Sequence, residues 1–170
     1  YKIECQDVKI EYLTLDEVKQ LAATPCDIPV LKAASLFSYL TGLRISDIMN
    51  LQWSGFGIAP DHGYCIRIRT QKTKTEATLP ISHEAFELCG EVGTGKVFKG
   101  LSRSMINYPL KNWLKQAKIN KHITFHCFRH SFATIQIAAG TDIYTVSKML
   151  THRNVSNTQI YAELVSEKKR

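Results

Sequence analysis

Six residues along the sequence carry side chains that could act together on one chemical group. In chain order they are Arg44, Lys72, His126, Arg129, His152 and Tyr161. Two of them share the stretch HCFRHSFAT, where an i, i+3 spacing on a helix presents an imidazole and a guanidinium to the same target. Taken singly such residues are common, since an arginine at a helix start is usually in a surface ion pair and a hairpin lysine usually protects a sheet edge. Only the six residues taken together predict a catalytic site.

That combination suits the attack of a tyrosine hydroxyl on a phosphodiester. Two guanidiniums could each bind non-bridging oxygens in a forked geometry and stabilise the charge of a pentacoordinate phosphorus without a metal ion. A neutral imidazole could take the proton of the phenol, which matters because free tyrosine titrates near pH ~10. A lysine ammonium could protonate the departing sugar oxygen.

The first of these residues should lie among helices. A capping-box signature, Thr14 followed by Glu17, predicts a helix from about residue 15 to residue 22. The apolar stretch IPVLKAASLFSYLTG predicts a second, mostly buried helix that stops at Gly42. A third short helix should begin near residues 46–47, which places Arg44 at its start.

The sequence then changes to a period of two. Residues 64–69 alternate apolar and basic side chains, and a second β-rich run, 77–81, follows a polar turn, so a β-hairpin with lysines at its tip is predicted. Helical spacing returns in SRSMINYPLKNWLKQAKI, with one apolar and one cationic face. Two further helices broken at Gly140, a polar loop and a short final segment complete a mainly α chain.

The order and spacing of these motifs resemble those of the tyrosine recombinase (phage integrase) catalytic domain, from about residue 11 to residue 165. TGLRISDIMNLQW resembles the first arginine box of that family, which implies this role for Arg44. The hairpin TQKTKTEATLPI resembles the segment that bears the catalytic lysine, and its distance from Pro80 favours Lys72 over Lys74.

The second half of the chain supplies the other two boxes. HCFRHSFAT is similar to the H-x-x-R box, which gives catalytic roles to His126 and Arg129, while we expect His130 to pack or hydrogen-bond locally. MLTHRNVSNTQIYAEL resembles the final box, with His152 at its His-or-Trp position and Tyr161 as nucleophile.

The resemblance implies an α+β fold, mainly α, with helices around a small antiparallel sheet. It also implies site-specific cleavage and rejoining of double-stranded DNA through a 3′-phosphotyrosyl link and a free 5′-hydroxyl, with no metal or other cofactor. The partner is expected to be DNA bound by a tetramer of the protein, with possible help from accessory DNA-bending proteins. We expect residues 1–12 to be a linker from a DNA-binding portion absent from the sequence, and 13–170 to be the catalytic domain.

The distribution of charge agrees with a polyanionic partner. The net charge is +7, but residues 92–170 alone hold thirteen Lys and Arg against three Asp and Glu, whereas residues 1–50 hold five against seven. Such one-sided charge predicts a polyanionic partner, and by itself it fits DNA, RNA or an acidic protein. The side chains expected to bind DNA outside the catalytic set are Lys74, Arg103, Lys111 and Lys115.

Composition also predicts the compartment. The five cysteines are odd in number and never spaced as C-x-x-C, which argues against a disulfide framework or a zinc ribbon and favours a reducing cytoplasm. The resemblance to the phage integrase family implies a protein encoded by a bacterium, a phage or a mobile element. The longest apolar runs are too short for a membrane span. We therefore expect a cytoplasmic protein associated with DNA and not with membranes.

Three other classes of protein share parts of this pattern. A non-catalytic helix-turn-helix module would explain FATIQIAAGTDIYTVSKML and the basic charge, but neither Arg44 nor Tyr161. A metal-dependent hydrolase would use His126 and His130 at i and i+4, but the glutamate of an H-E-x-x-H motif is missing. A type IB topoisomerase would share the chemistry, although the compact layout favours a recombinase.

Overall fold

The computed structural model of the chain describes residues 10–58, 63–70, 74, 76–150, 152 and 155–168, with only the backbone described at 167 and 168. Its α-helices are α1 (Leu15–Ala23), α2 (Pro29–Thr41), α3 (Ile45–Asn50), α4 (His83–Leu88), α5 (Tyr108–Gln116), α6 (His126–Ala138), α7 (Ile143–Met149) and α8 (Ser156–Lys168). Its strands are β1 (Phe56–Ile58), β2 (Tyr64–Arg69) and β3 (Glu76–Ile81). The three strands form one antiparallel sheet in the order β1-β2-β3, so the predicted fold class is confirmed.

The first two helices have the ends that the sequence predicts. The hydroxyl of Thr14 accepts a hydrogen bond from the backbone N–H of Glu17, whose carboxylate accepts one from the N–H of Thr14, at 3.2 and 3.0 Å. This reciprocal pair fixes the start of α1. Helix α2 begins with Pro29 and ends at Gly42, which has a φ of 78° and is therefore left-handed.

The hairpin is also confirmed, with one strand more than expected. In β2, Ile66 and Ile68 are buried while Arg67 and Arg69 are exposed, as the alternation predicts. The additional strand β1 pairs antiparallel with β2. Lys72, which the sequence predicts at the tip of the hairpin, lies outside the described residues.

The second half is helical, as predicted, and its two largest departures from the sequence prediction are α4 and the length of α8. The break at Gly140 separates α6 from α7. The expected short final segment is instead a helix of thirteen residues that begins at Ser156. Among the described residues, no helix is long and apolar enough to cross a membrane.

Two apolar clusters form the interior. The larger one joins α1–α6 and the sheet around side chains such as Phe37, Ile66 and Trp113. The smaller one is built where α6, α7 and α8 meet, from Phe132, Ala133, Val146, Leu150 and Tyr161. The predicted nucleophile is therefore a member of an apolar cluster.

Candidate active site

Arg129 is the most buried of the predicted site residues among those described, with 2% of its surface exposed. Its Nη1 donates to the carbonyl of Gly42 at 2.6 Å, and its Nη2 donates to the carbonyl of Leu150 at 2.7 Å. Both carbonyls lie at helix C-termini, those of α2 and α7, where the helix dipoles favour a cation. Arg129 therefore connects these two helix ends to the first turn of α6.

Arg129 remains positively charged although it is buried. Burial and, to a smaller extent, the positive charge of Arg44 lower the pKa of the Arg129 guanidinium to about 9, and Tyr161 and Asp47 oppose the shift. The group is protonated at neutral pH. The electrostatic influence of Arg44 and Tyr161 also means that all three side chains lie in one region.

Arg44 differs from Arg129 in its hydrogen bonding. It is the N-cap residue of α3 and is partly buried, yet its Nε and Nη1 are buried without a hydrogen-bond partner among the described residues. Buried donors without acceptors are costly and uncommon in proteins, and they mark places that a ligand can occupy. Here the missing acceptor must tolerate a guanidinium, which indicates an anion.

These arginines face an open cleft of about 550 Å³. Its walls include four of the residues that the sequence singled out, namely Arg44, Arg103, His126 and Arg129. His126, at the first turn of α6, is exposed, as is Arg103 in a 3-10 turn before α5. The structure thus brings three side chains predicted to be catalytic and one predicted to bind DNA into one cationic surface.

His152 lies on the other side of Arg129. Its Nε2 is 3.3 Å from Arg129 Nη2, and its Nδ1 is 2.8 Å from the hydroxyl of Thr158 in α8. Because a guanidinium can only donate, Nε2 of His152 must be the acceptor, and the ring proton therefore resides on Nδ1 and is donated to Thr158. Thr158 is fully buried, and its role is not visible in the sequence.

Tyr161 lies in the middle of α8 with 3% of its surface exposed. Its hydroxyl is 2.6 Å from Nδ1 of His130, and the two rings are tilted with centroids 5.5 Å apart. Burial raises the pKa of the Tyr161 phenol, while the positive charges of Arg129 and Arg44 oppose that shift. Tyr161 is not among the described residues that line the cleft.

His130 belongs to the site as well, although the sequence predicted only a local contact for it. Its hydrogen bond spans 31 residues, from α6 to α8, so it is not the local contact that was expected. Burial, together with the charge of Arg129, lowers the pKa of His130 to about 4. The imidazole is therefore neutral at pH 7 and can accept the proton of the Tyr161 hydroxyl. Its i, i+4 spacing from His126 was the available signal, and their rings do meet edge to face at 4.6 Å.

The remaining candidates lie outside this group. Lys74 is exposed in the hairpin turn, where its N–H donates to the carbonyl of Thr70 at 2.9 Å. Lys111 and Lys115 are exposed on α5. No cluster of three or more potential metal-ligating side chains occurs in the described part of the chain.

Comparisons with known proteins agree with this geometry. A profile of the phage integrase family matches residues 11–168. The chain is 28% identical to a tyrosine recombinase of Thermosipho africanus, over 94% of this chain and 59% of the relative. It is 31% identical to tyrosine recombinase XerD of Halalkalibacterium halodurans, over 93% of this chain and 58% of the relative. The chain thus spans less than two thirds of these relatives.

Solved structures share the fold. The catalytic domain of bacteriophage HP1 integrase has a TM-score of 0.74 at 24% identity, covering 91% of this chain and 88% of that domain. A lambda integrase dimer bound to a COC′ core site has a TM-score of 0.75 at 20% identity, covering 92% of this chain and 60% of that one. Since the profile match includes the sheet, the arginine cleft and all of α8, the chain belongs to the phage integrase family.

Proposed function

We propose that this chain is the catalytic domain of a site-specific DNA recombinase that cleaves and rejoins double-stranded DNA through a 3′-phosphotyrosyl intermediate. The observation that carries the proposal is a pair of buried N–H groups of Arg44 that have no acceptor within the described part of the chain and face a cleft that Arg129, Arg103 and His126 also line. A phosphodiester supplies the acceptor oxygens that these donors lack.

The reaction assigns a role to each residue of the site. The oxygen of Tyr161 attacks the scissile phosphorus and loses its proton to a neutral imidazole of the site, the bond from phosphorus to the 5′ oxygen breaks, and the 5′ oxygen leaves as a hydroxyl. Lys72 supplies the proton of that hydroxyl. Arg44 and Arg129 stabilise the charge on the non-bridging oxygens, and His126 donates a hydrogen bond to them. His152 holds the guanidinium of Arg129 in place through the hydrogen bond that its Nε2 accepts.

Rejoining reverses these steps. A 5′-hydroxyl of the partner strand attacks the phosphotyrosyl phosphorus and releases Tyr161. Because the energy of the phosphodiester is kept in the covalent link, no nucleotide cofactor is consumed. Because the guanidiniums neutralise the developing charge, no metal ion is required.

The assembly that performs the exchange is larger than this chain. The lambda integrase neighbour is a dimer on DNA, which supports double-stranded DNA and further copies of the protein as partners. We propose a DNA-bound tetramer in the cytoplasm, assisted where needed by DNA-bending proteins. Lys74, Arg103, Lys111 and Lys115 contribute phosphate contacts. A helix-turn-helix module without catalysis would leave the cleft and the site around Tyr161 unexplained.

A covalent adduct tests the proposal. The chain, together with whatever precedes it in its parent protein, is incubated in EDTA with nicked suicide duplexes whose sequence around the nick is randomised. We expect an adduct that survives denaturation and maps by mass spectrometry to the peptide containing Tyr161, and we expect none from Tyr161→Phe. The proposal fails if cleavage needs a divalent metal, or if the adduct persists in Tyr161→Phe.

A further inference from the structure

Among the described residues, the hydroxyl of Tyr161 has one hydrogen-bond partner, and that partner is not one of the six residues that the sequence singled out. Nδ1 of His130 lies 2.6 Å from it, in a region formed by α6 and α8. We propose that His130 is a positioning residue that accepts the hydrogen bond of Tyr161 and so orients the nucleophilic oxygen. This inference rests on the proposed function.

Geometry favours His130 over His126 for this role. His126 is exposed and lines the cleft, where a bound phosphate would lie beside it. His130 lies one turn further along α6 and meets the Tyr161 ring directly. The two imidazoles touch edge to face, so His126 in turn limits the tilt of the His130 ring.

The direction of the hydrogen bond follows from the surroundings of His130. Burial and the neighbouring charge of Arg129 disfavour an imidazolium there. A neutral imidazole with its lone pair on Nδ1 accepts from the phenol O–H. The hydrogen of the hydroxyl then points at α6, and the lone pairs of the oxygen, which must reach phosphorus, point away from α6.

Burial makes this acceptor necessary. Tyr161 is almost fully covered by the apolar cluster of α6, α7 and α8, so few other acceptors are within reach. A buried hydroxyl without a partner is destabilised and rotates or leaves its site. The charges of Arg129 and Arg44 act on the same phenol, so the orientation is set near the groups that bind the phosphate.

The test uses a pair of substitutions that differ in the acceptor. His130→Leu removes it, whereas the Oδ1 of His130→Asn lies at the same distance along the side chain as Nδ1 and restores it. We expect His130→Leu to slow single-turnover adduct formation on saturating suicide DNA by about 10- to 100-fold. We expect His130→Asn to recover most of that loss, with unchanged DNA affinity in both variants. His122→Leu, at an exposed histidine before α6, is the matched control and should react at the wild-type rate.

A second readout does not depend on DNA. O-acetylation of Tyr161 by N-acetylimidazole, quantified by peptide mass spectrometry in the free protein, should be slow in wild type and His130→Asn and faster in His130→Leu. If His130→Leu does not fold, His130→Gln takes its place, because its amide is displaced by one methylene group.

The outcomes separate the two proposals. Equal adduct rates or equal acetylation in His130→Asn and His130→Leu would overturn the positioning role, because they would show that packing alone matters. A wild-type protein that forms no adduct would overturn the proposed function, and the acetylation comparison would still decide whether His130 holds Tyr161.

Discussion

At the scale of single residues, Arg129 and Arg44 differ in what they contribute to the stability of the folded protein. Arg129 makes two short hydrogen bonds to backbone carbonyls and so contributes to the folded state before any ligand arrives. Arg44 has two buried donors for which the residues that the structure describes provide no acceptor. Its placement costs stability in the free protein, and that cost is offset when an anion binds.

This difference predicts different consequences of removing each guanidinium. Arg44→Met should leave the thermal midpoint unchanged or raise it, while slowing adduct formation by about 10²-fold or more, as expected for loss of a preorganised donor. Arg129→Met should slow the reaction as well and also lower the free energy of unfolding by about 3–5 kcal/mol, since two carbonyls lose a charged donor.

Thermal unfolding and suicide-substrate cleavage of the same preparations measure both effects. Arg103→Met, at an exposed arginine of the same cleft, is the control for a loss of charge without loss of buried hydrogen bonds. A marked fall in the thermal midpoint of Arg44→Met would contradict the interpretation that the guanidinium of Arg44 binds an anion and does not stabilise the free protein.

The sequence predicted the side chains that make up the site more completely than it predicted their partners. Arg44, His126 and Arg129 were recognised from motif spacing, and the structure brings them to one cleft. The roles of His130 and Thr158 depend on contacts that α8 makes with α6 and with His152, which lies between α7 and α8, and no local pattern reports such contacts.

At the scale of elements, the C-terminal end of α2 provides one of the carbonyl groups to which the Arg129 guanidinium donates a hydrogen bond. Gly42 adopts a φ of 78° and directs its carbonyl to the guanidinium. A Cβ on Gly42 would lie 2.6 Å from Cδ1 of Phe132 and 3.0 Å from Cδ2 of Leu150. The glycine thus permits both the left-handed turn and the close approach of α2 to α6.

We therefore expect Gly42→Ala to lower the free energy of unfolding by about 2–4 kcal/mol, from the left-handed conformation and the clash with Phe132 together. Gly90→Ala is the matched control, because Gly90 has a φ of 79° but nothing within 4 Å of a Cβ, and it should cost only the conformational part, about 1–2 kcal/mol. Chemical denaturation measures both values. Equal losses in the two variants would show that the contact with Phe132 relaxes freely.

The elements that the sequence did not predict have weak local signals. Strand β1 has three residues, includes a glycine and buries none of its side chains fully, so it lacks the alternation that revealed β2. Helix α8 buries Thr158 and Tyr161, three residues apart, but leaves Ile160 exposed, so its apolar side chains do not mark a single buried face. Its start follows a polar loop, and packing against α6 and α7, rather than amphipathic spacing, explains its thirteen residues.

At the scale of the whole molecule, positive charge is concentrated in the second half of the chain. Residues 92–170 contribute +10 of charge, while residues 1–50 contribute −2. Arg103 borders the cleft, and Lys111 and Lys115 are exposed on α5. This asymmetry should orient the chain on DNA, because cations that neutralise phosphates release condensed counterions.

Binding to duplex DNA should therefore weaken steeply with salt, and the steepness should depend on where a charge is removed. For Lys111→Gln, we expect the slope of log K against log salt to become shallower by about 0.9, the value for one phosphate contact. Lys19→Gln, at an exposed lysine of α1 in the acidic third of the chain, removes the same charge and should leave the slope unchanged. Fluorescence anisotropy of a labelled duplex at several salt concentrations measures all three slopes. Equal changes in the two variants would mean that net charge, rather than a basic face built around α5, determines how this chain meets DNA.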